Sequence, residues 1–195
     1  MRLLFGLLLF TTICLCQTYT PFTVTEVSRQ FDTTGKLTSE SRFLFAYRQD
    51  GSIVSVDHDP RARNLRQILD ASKHQTLLIE PTSRSASQMP YNWPPSSGSC
   101  DARFHAIAGA VVSVDNSPRT VSGVPVQRVS AILPGGVLME VLIAPDLACQ
   151  MLESTISQNG RILSSLVSEN LRIGNPDAAL FKVPLDYRLT KLKIP

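Results

Sequence analysis

Few residues of this 195-residue chain combine in a pattern that could carry out covalent chemistry. The densest polar cluster is Asp57-His58-Asp59, whose side chains are of the types found in metal and acid–base sites. On a strand the two aspartates point to one face and the histidine to the other, so the three converge only if the chain bends before Pro60. We therefore favour a solvent-exposed strand end, with a hydrolase site near His58 as the alternative.

None of the short motifs that identify common cofactor or metal sites occurs in the sequence. There is no phosphate-binding glycine loop, dinucleotide fingerprint or nucleophile elbow. There is also no His-Glu-x-x-His or Cys-x-x-Cys motif for zinc or thiol redox chemistry. The formal net charge of +3 is too small to indicate a nucleic-acid partner. We therefore expect a protein that has no cofactor, no metal ion and no enzymatic activity.

The N-terminus has the pattern of an export signal. Arg2 precedes an apolar run over residues 3–10, and Cys14 and Cys16 occupy the −3 and −1 positions of a cut before Gln17. Residues 1–16 are predicted to be a signal peptide and residues 17–195 a single β-rich domain in the periplasm or outside the cell. Lipidation of either cysteine is an alternative, which the large residue before each one disfavours. No later apolar run approaches the ~20 residues of a transmembrane helix.

Cleavage of the signal would leave two cysteines, Cys100 and Cys149. In an oxidising compartment the simplest expectation is one disulfide bond between them. The loop that it closes has about 50 residues, and the chain-entropy model assigns such a loop roughly 4 kcal/mol of stabilisation. The alternative is a catalytic thiol, because His105 follows Cys100 closely enough to suggest a Cys–His pair.

Most of the remaining chain has the alternating apolar pattern and tight turns of an antiparallel β protein. Strands are predicted over residues 22–31 and 42–48, and the Asp50-Gly51 pair predicts a hairpin turn after them. The best helix candidate covers residues 101–112, and the Pro-rich residues 88–100 are expected to form a long loop. The predicted fold is mainly β (α+β). It is a curved antiparallel sheet or open half-barrel of about eight to ten strands, covered by the helix and the loop.

Aromatic residues provide the most informative apolar feature. Phe43, Phe45 and Tyr47 share one face of a predicted strand by period-two alternation. If the sheet curves, this stripe lines the concave face, either as ordinary core or as the wall of a ligand cavity. Tyr91 and Trp93 lie in the Pro-rich loop and could cover the same cavity.

The end of the chain resembles that of a known group of proteins. Residues 175–187 read Asn-Pro-Asp-Ala-Ala-Leu-Phe-Lys-Val-Pro-Leu-Asp-Tyr, and they follow a long antiparallel region. This ending resembles small exported bacterial β-rich proteins, many of them uncharacterised, that are similar to the outer-membrane lipoprotein carriers. The resemblance is best over about the last fifty residues. It implies an open half-barrel whose apolar concave face holds acyl chains, and it assigns no site residue position by position.

Two functional hypotheses from different classes follow. The first is an exported, non-enzymatic protein that binds an apolar or lipid-like ligand on the concave face of a half-barrel. The second is a structural or interaction module of the cell envelope, with a filled core and a surface that binds another envelope protein.

Overall fold

The computed structural model describes residues 20–58, 64–91 and 99–192. Twelve strands and one helix of a single turn are present in these ranges. The strands are β1 (Phe22–Phe31), β2 (Leu37–Tyr47), β3 (Ile53–Asp57), β4 (Arg66–Asp70), β5 (Gln75–Glu80), β6 (Ser85–Pro90), β7 (Val111–Val121), β8 (Val124–Leu133), β9 (Val137–Ala144), β10 (Gln150–Gln158), β11 (Arg161–Ile173) and β12 (Arg188–Lys191). The helix α1 spans Ala102–His105.

All of these strands belong to one curved sheet that does not close. Their order across the sheet is β12-β6-β5-β4-β3-β2-β1-β11-β10-β9-β8-β7. β12 runs parallel to β6, and every other neighbouring pair is antiparallel. The predicted mainly β fold, an open curved antiparallel sheet, is confirmed.

Local turn chemistry explains why most neighbours in the sheet are also neighbours in sequence. Asn159 and Gly160, between β10 and β11, both have positive φ, as a two-residue hairpin of the favoured twist requires. Gly51 also has positive φ, at the turn that the Asp50-Gly51 pair predicted. β4 and β5 are also paired as an antiparallel hairpin.

The predicted helix over residues 101–112 is wrong in extent. Only Ala102–His105 is helical, and β7 already begins at Val111. Gly109 lies between them with a φ of 76°, a left-handed conformation that interrupts a helix. The following valine pair then favours a strand. Within the predicted helical range, Phe104 is buried and Ile107 is exposed.

The strand count is also larger than expected. Twelve strands form, whereas the sequence patterns predicted about eight to ten. The C-terminal segment accounts for one of the additional strands, because β12 joins the edge strand β6 in parallel register.

The C-terminal segment docks on the sheet. Leu180, Phe181 and Val183 pack against a buried cluster formed by Ala46, Val54, Ile68, Leu77, Ile79 and Ala86 on strands β2–β6. The guanidinium of Arg66 donates hydrogen bonds to the carbonyl oxygens of Ala179 and Lys182, at 3.4 and 2.8 Å. The segment therefore covers one face of the first half of the sheet.

Candidate functional site

Strand register shows which side chains share a face with the predicted aromatic stripe. Phe43, Phe45 and Tyr47 on β2 pair with Glu26, Val24 and Phe22 on β1. Directly paired residues on adjacent strands project to the same side of a sheet. We call this side of the sheet the aromatic face. The C-terminal segment packs on the other side, because Ala46 alternates with Phe45 and Tyr47 along β2.

One end of the aromatic face is closed. The ring of Tyr47 stacks on that of Phe22, with centroids 4.6 Å apart and an interplanar angle of 11°. Phe45 and Tyr47 both pack against a buried cluster that includes Phe22, Leu147 and Leu152. Two of the five predicted ligand-wall residues thus occupy positions on a packed core.

Phe43 lies at the border of that core. Its side chain is half-buried, and its ring centroid is 6.3 Å from that of Phe45 with the planes tilted by 40°. Its cross-strand neighbours on the aromatic face are Glu26 and Asp57, which are both acidic. Phe43 therefore lies where the packed apolar region of the aromatic face ends. Beyond Phe43 the face is partly exposed and more polar.

Glu26 is a partly buried carboxyl group on the aromatic face. Its side chain accepts a hydrogen bond from the side-chain amide of Gln150, a residue that is 7% exposed. Burial raises the pKa of Glu26 above its ordinary value, and the hydrogen bond from Gln150 offsets only part of that rise. The paired residue on β11, Ser168, donates its hydroxyl to the carbonyl oxygen of Met151 at 3.2 Å. A small polar group thus sits beside the Phe43 ring.

Sequence reasoning missed this polar group, although a signal for Glu26 exists. In β1 the alternating positions 22, 24 and 26 share one face, and the first two are apolar. A carboxylate in the third position of such a stripe is unusual for a core strand. Gln150 gave no comparable signal, because its position depends on the irregularity between Met151 and Glu153, where the register of β10 against β9 shifts.

The aromatic face continues across the second half of the sheet as a mixed surface. One row of directly paired residues lies on this face from β2 to β7: Ser41, Ser28, Leu166, Ser154, Val141, Val129 and Val114. Leu166, Ile156 and Met139 are half-buried on this side, among serine hydroxyls. Apolar side chains therefore remain partly exposed between the two covered ends of the face.

The far end of the aromatic face is covered by the segment that contains α1. Phe104, 3% exposed, packs with Val129, Val141 and Ile143, and the two cysteines border the same cluster. The disulfide between Cys100 and Cys149 is present, with a Cα–Cα distance of 5.3 Å. This confirms the predicted pairing, and a disulfide leaves neither sulfur as the thiolate that a Cys–His nucleophile requires.

The opposite side of the same strands contains a polar row. The row next to the one above contains Ser113, Ser130, Glu140, Thr155 and Ser165. Glu140 forms an ion pair with Arg128 on the neighbouring strand. The opposite side thus combines this polar row with the exposed apolar side chains of Val111 and Ile132.

The loop residues of the predicted site lie apart from the stripe along the sheet. Tyr91 directly follows β6, and its backbone N–H donates to the carbonyl of His74 at 2.9 Å. β6 is four strand positions from β2, which corresponds to roughly 19 Å along the sheet. Trp93 lies outside the described residues, as does most of the predicted loop over residues 88–100.

The histidine-based alternatives find little support in the described part of the chain. Asp57 ends β3 and His58 is exposed, whereas Asp59 lies outside the described residues. His105 contacts Asp101 at 3.2 Å on the exposed side of α1. Among residues 20–58, 64–91 and 99–192, no group of three His, Cys, Asp or Glu side chains has the geometry of a metal site. The same ranges contain no helix long and apolar enough to cross a membrane.

Comparison with known proteins gives a fold and no family. No family model matches the chain, and no curated protein matches it in sequence. Several solved structures are similar in fold. An uncharacterized conserved protein from Thermus thermophilus is 10% identical, with 89% of this chain and 91% of that chain covered and a TM-score of 0.54.

MucB is 12% identical, with 89% of this chain covered and a TM-score of 0.51; this chain spans 60% of the MucB chain. A LolA superfamily protein from Nitrosomonas europaea is 8% identical over 84% of this chain and 90% of that chain, with a TM-score of 0.38. Identities this low describe a shared fold alone.

Proposed function

We propose that this chain is an exported, non-enzymatic protein that binds an apolar or lipid-like ligand on its aromatic face. The observation that carries the proposal is the middle of that face, where Phe43, Leu166 and Ile156 remain half-buried between two covered ends. A ligand lying there would remove these side chains from water, and burial of apolar surface is worth about 25 cal/mol per Å².

The residues of the predicted site then take different roles. Phe43 contacts the ligand directly, and Phe45 and Tyr47 form the wall behind it. Tyr91, at the end of β6, lies too far along the sheet to contact the same ligand, and Trp93 lies outside the described residues. Glu26 and Gln150 offer polar atoms beside the Phe43 ring, so an amphipathic molecule with a polar group suits the face better than a plain hydrocarbon.

Export is part of the proposal. Residues 1–16 have the pattern of a signal peptide, and the disulfide is of the kind that persists in oxidising compartments. The periplasm is the compartment in which such a protein would meet lipids in transit between membranes.

A second candidate function is an interaction module of the cell envelope. It is favoured by the fold shared with MucB, for which a structure in complex with MucA(peri) is known, with 90% of this chain covered at a TM-score of 0.51. In this case a protein segment, instead of a lipid, would occupy the open sheet.

A fluorescent long-chain fatty acid tests the proposal on the purified, oxidised protein. We expect saturable binding, and we expect Phe43→Ser to weaken it by at least about tenfold, since it removes an aromatic side chain from the contact. Ile132→Ser is the matched control. Ile132 is 53% exposed, and it pairs with Val111 on the side of the sheet opposite the aromatic face. Equal affinity in both variants, or no saturable binding, would overturn the proposal.

A further inference from the structure

A cleft of about 280 Å³ lies where the C-terminal segment meets the ends of two hairpins. Its walls come from the β2–β3 turn, the β4–β5 turn and the 3₁₀ turn Ala178–Phe181. The buried side chain of Ile68 and the ring of Phe181 provide its apolar surfaces. Ile68 projects to the side opposite the aromatic face, so this cleft is separate from the proposed lipid site.

Five charged side chains line the cleft, namely Arg48, Lys73, Lys182, Asp50 and Asp70. Both carboxylates are engaged by their own turns. Asp70 accepts hydrogen bonds from the Ser72 hydroxyl at 2.7 Å and the Lys73 backbone N–H at 3.1 Å, and it lies 3.3 Å from the Lys73 ammonium. Asp50 accepts the backbone N–H of Ser52 at 2.9 Å. One of the three cations is thereby neutralised.

The other two cations are placed differently. The guanidinium carbon of Arg48 lies 5.1 Å from the centroid of the Phe181 ring, which holds the guanidinium at the wall of the cleft. Among the residues that the structure describes, neither Arg48 nor Lys182 forms an ion pair. Lys182 directly follows Phe181, and both residues line the cleft with Arg48.

We propose that this cleft binds a phosphate group between Arg48 and Lys182. A planar guanidinium that is already fixed on a ring presents paired N–H donors to phosphate oxygens, and a flexible ammonium adds a second charge. The volume is slightly below the ~300–1,000 Å³ typical of small-molecule pockets, which suits a phosphate with a small substituent better than an acyl chain. The phosphate could be free or part of a lipid headgroup.

The proposal is tested by titrating the full-length oxidised protein with inorganic phosphate and monitoring binding through changes in the amide chemical shifts. A parallel arm measures sedimentation with vesicles of phosphatidylglycerol and, for comparison, of phosphatidylcholine. We expect saturable binding in at least one arm, weakened about tenfold by Arg48→Gln and by Lys182→Gln, since each removes a charge-assisted contact. Binding of free phosphate identifies a soluble ligand, and binding of phosphatidylglycerol vesicles alone identifies a headgroup.

Lys36→Gln is the control, because it removes the same charge from the turn at the other end of β2. Lys182→Gln should leave the C-terminal segment docked, because the backbone carbonyl of Lys182, and not its side chain, accepts the hydrogen bond from Arg66. Equal weakening by all three substitutions would indicate general charge attraction and overturn the proposal. Absence of binding in both arms would do the same.

Discussion

Glu26 accepts a hydrogen bond from the side-chain amide of Gln150, a residue 124 positions later in the sequence. The bond ties β1 to the start of β10 across the intervening strand β11, next to the place where the register of β10 against β9 shifts. It also supplies the buried Glu26 carboxylate with a donor. This pair therefore links β1 to β10 and places polar atoms at the edge of the aromatic face.

The raised pKa of Glu26 has a consequence for stability. The folded protein binds the Glu26 proton more tightly than the unfolded chain, so ionisation opposes folding as pH rises from the ordinary value of 4.5 through the raised pKa of the folded state. Glu26→Gln removes this cost and leaves an oxygen that can still accept from Gln150. We expect the variant to gain stability over the wild type at neutral pH and to lose that advantage near pH 4.

Urea unfolding at both pH values measures the effect. Glu153→Gln provides the control, since Glu153 is an exposed carboxylate on β10. A Glu26→Gln advantage that is the same at both pH values would contradict the account of this carboxyl group.

The disulfide is predicted to be a major source of stability. Cys100 and Cys149 are separated by 49 residues, and the chain-entropy model gives about 4 kcal/mol for a loop of that size. Replacing both cysteines with serine should lower the free energy of unfolding by about this amount, measured by urea denaturation. Reduction of the wild-type protein should reproduce the loss. A loss below about 1 kcal/mol in both experiments would indicate that the cluster around Phe104 holds without the bond.

Arg66 is predicted to fasten the C-terminal segment to the sheet. Its guanidinium is the donor to two carbonyl oxygens of that segment, and hydrogen bonds from charged groups contribute about 2 kcal/mol each when partly buried. Arg66→Met keeps an apolar stem but removes both donors. Hydrogen exchange at the amides of Leu180 and Lys182 should therefore become faster, because both amides bond within the docked turn.

Arg172→Met, an exposed arginine on β11, serves as the comparison for that experiment. Unchanged exchange in Arg66→Met would show that apolar packing alone docks the segment.

The two faces of the second half of the sheet can be distinguished by substitution. Val129 is fully buried and Ile132 is 53% exposed, although both lie on β8. An aspartate at position 129 would bury an unpaired charge, so Val129→Asp should cost more than about 3 kcal/mol of stability. Ile132→Asp should cost less than about 0.5 kcal/mol. Thermal unfolding of the two variants compares them, and similar destabilisation would contradict the register.

Much of the fold could be predicted because it rests on local signals. The Asp50-Gly51 pair predicted a hairpin, and the strand patterns over residues 22–31 and 42–48 predicted parts of β1 and β2. The cysteine pairing could be predicted because only two cysteines remain after the expected signal cleavage, in a compartment expected to be oxidising. Each of these depends on residues close in sequence or on a single possible partner.

The features that escaped prediction depend on contacts between distant residues. The predicted helix does not continue through Gly109, because this residue has a left-handed φ. The valines at positions 111 and 112 pair with β8 instead of extending α1. The parallel strand β12 forms only because the docked segment carries residues 188–191 to the edge of β6. Gln150 reaches Glu26 through a shift in strand register that no local pattern encodes.

Native mass spectrometry of the protein, purified from the periplasm without detergent, tests the central claim most directly. The account predicts a polypeptide mass corresponding to residues 17–195 less two hydrogens, with additional mass that dissociates on gentle activation and matches a fatty acid or phospholipid. The Phe43→Ser variant should carry less of that additional mass than the Ile132→Ser control. A bare polypeptide in all three preparations would contradict lipid binding on the aromatic face.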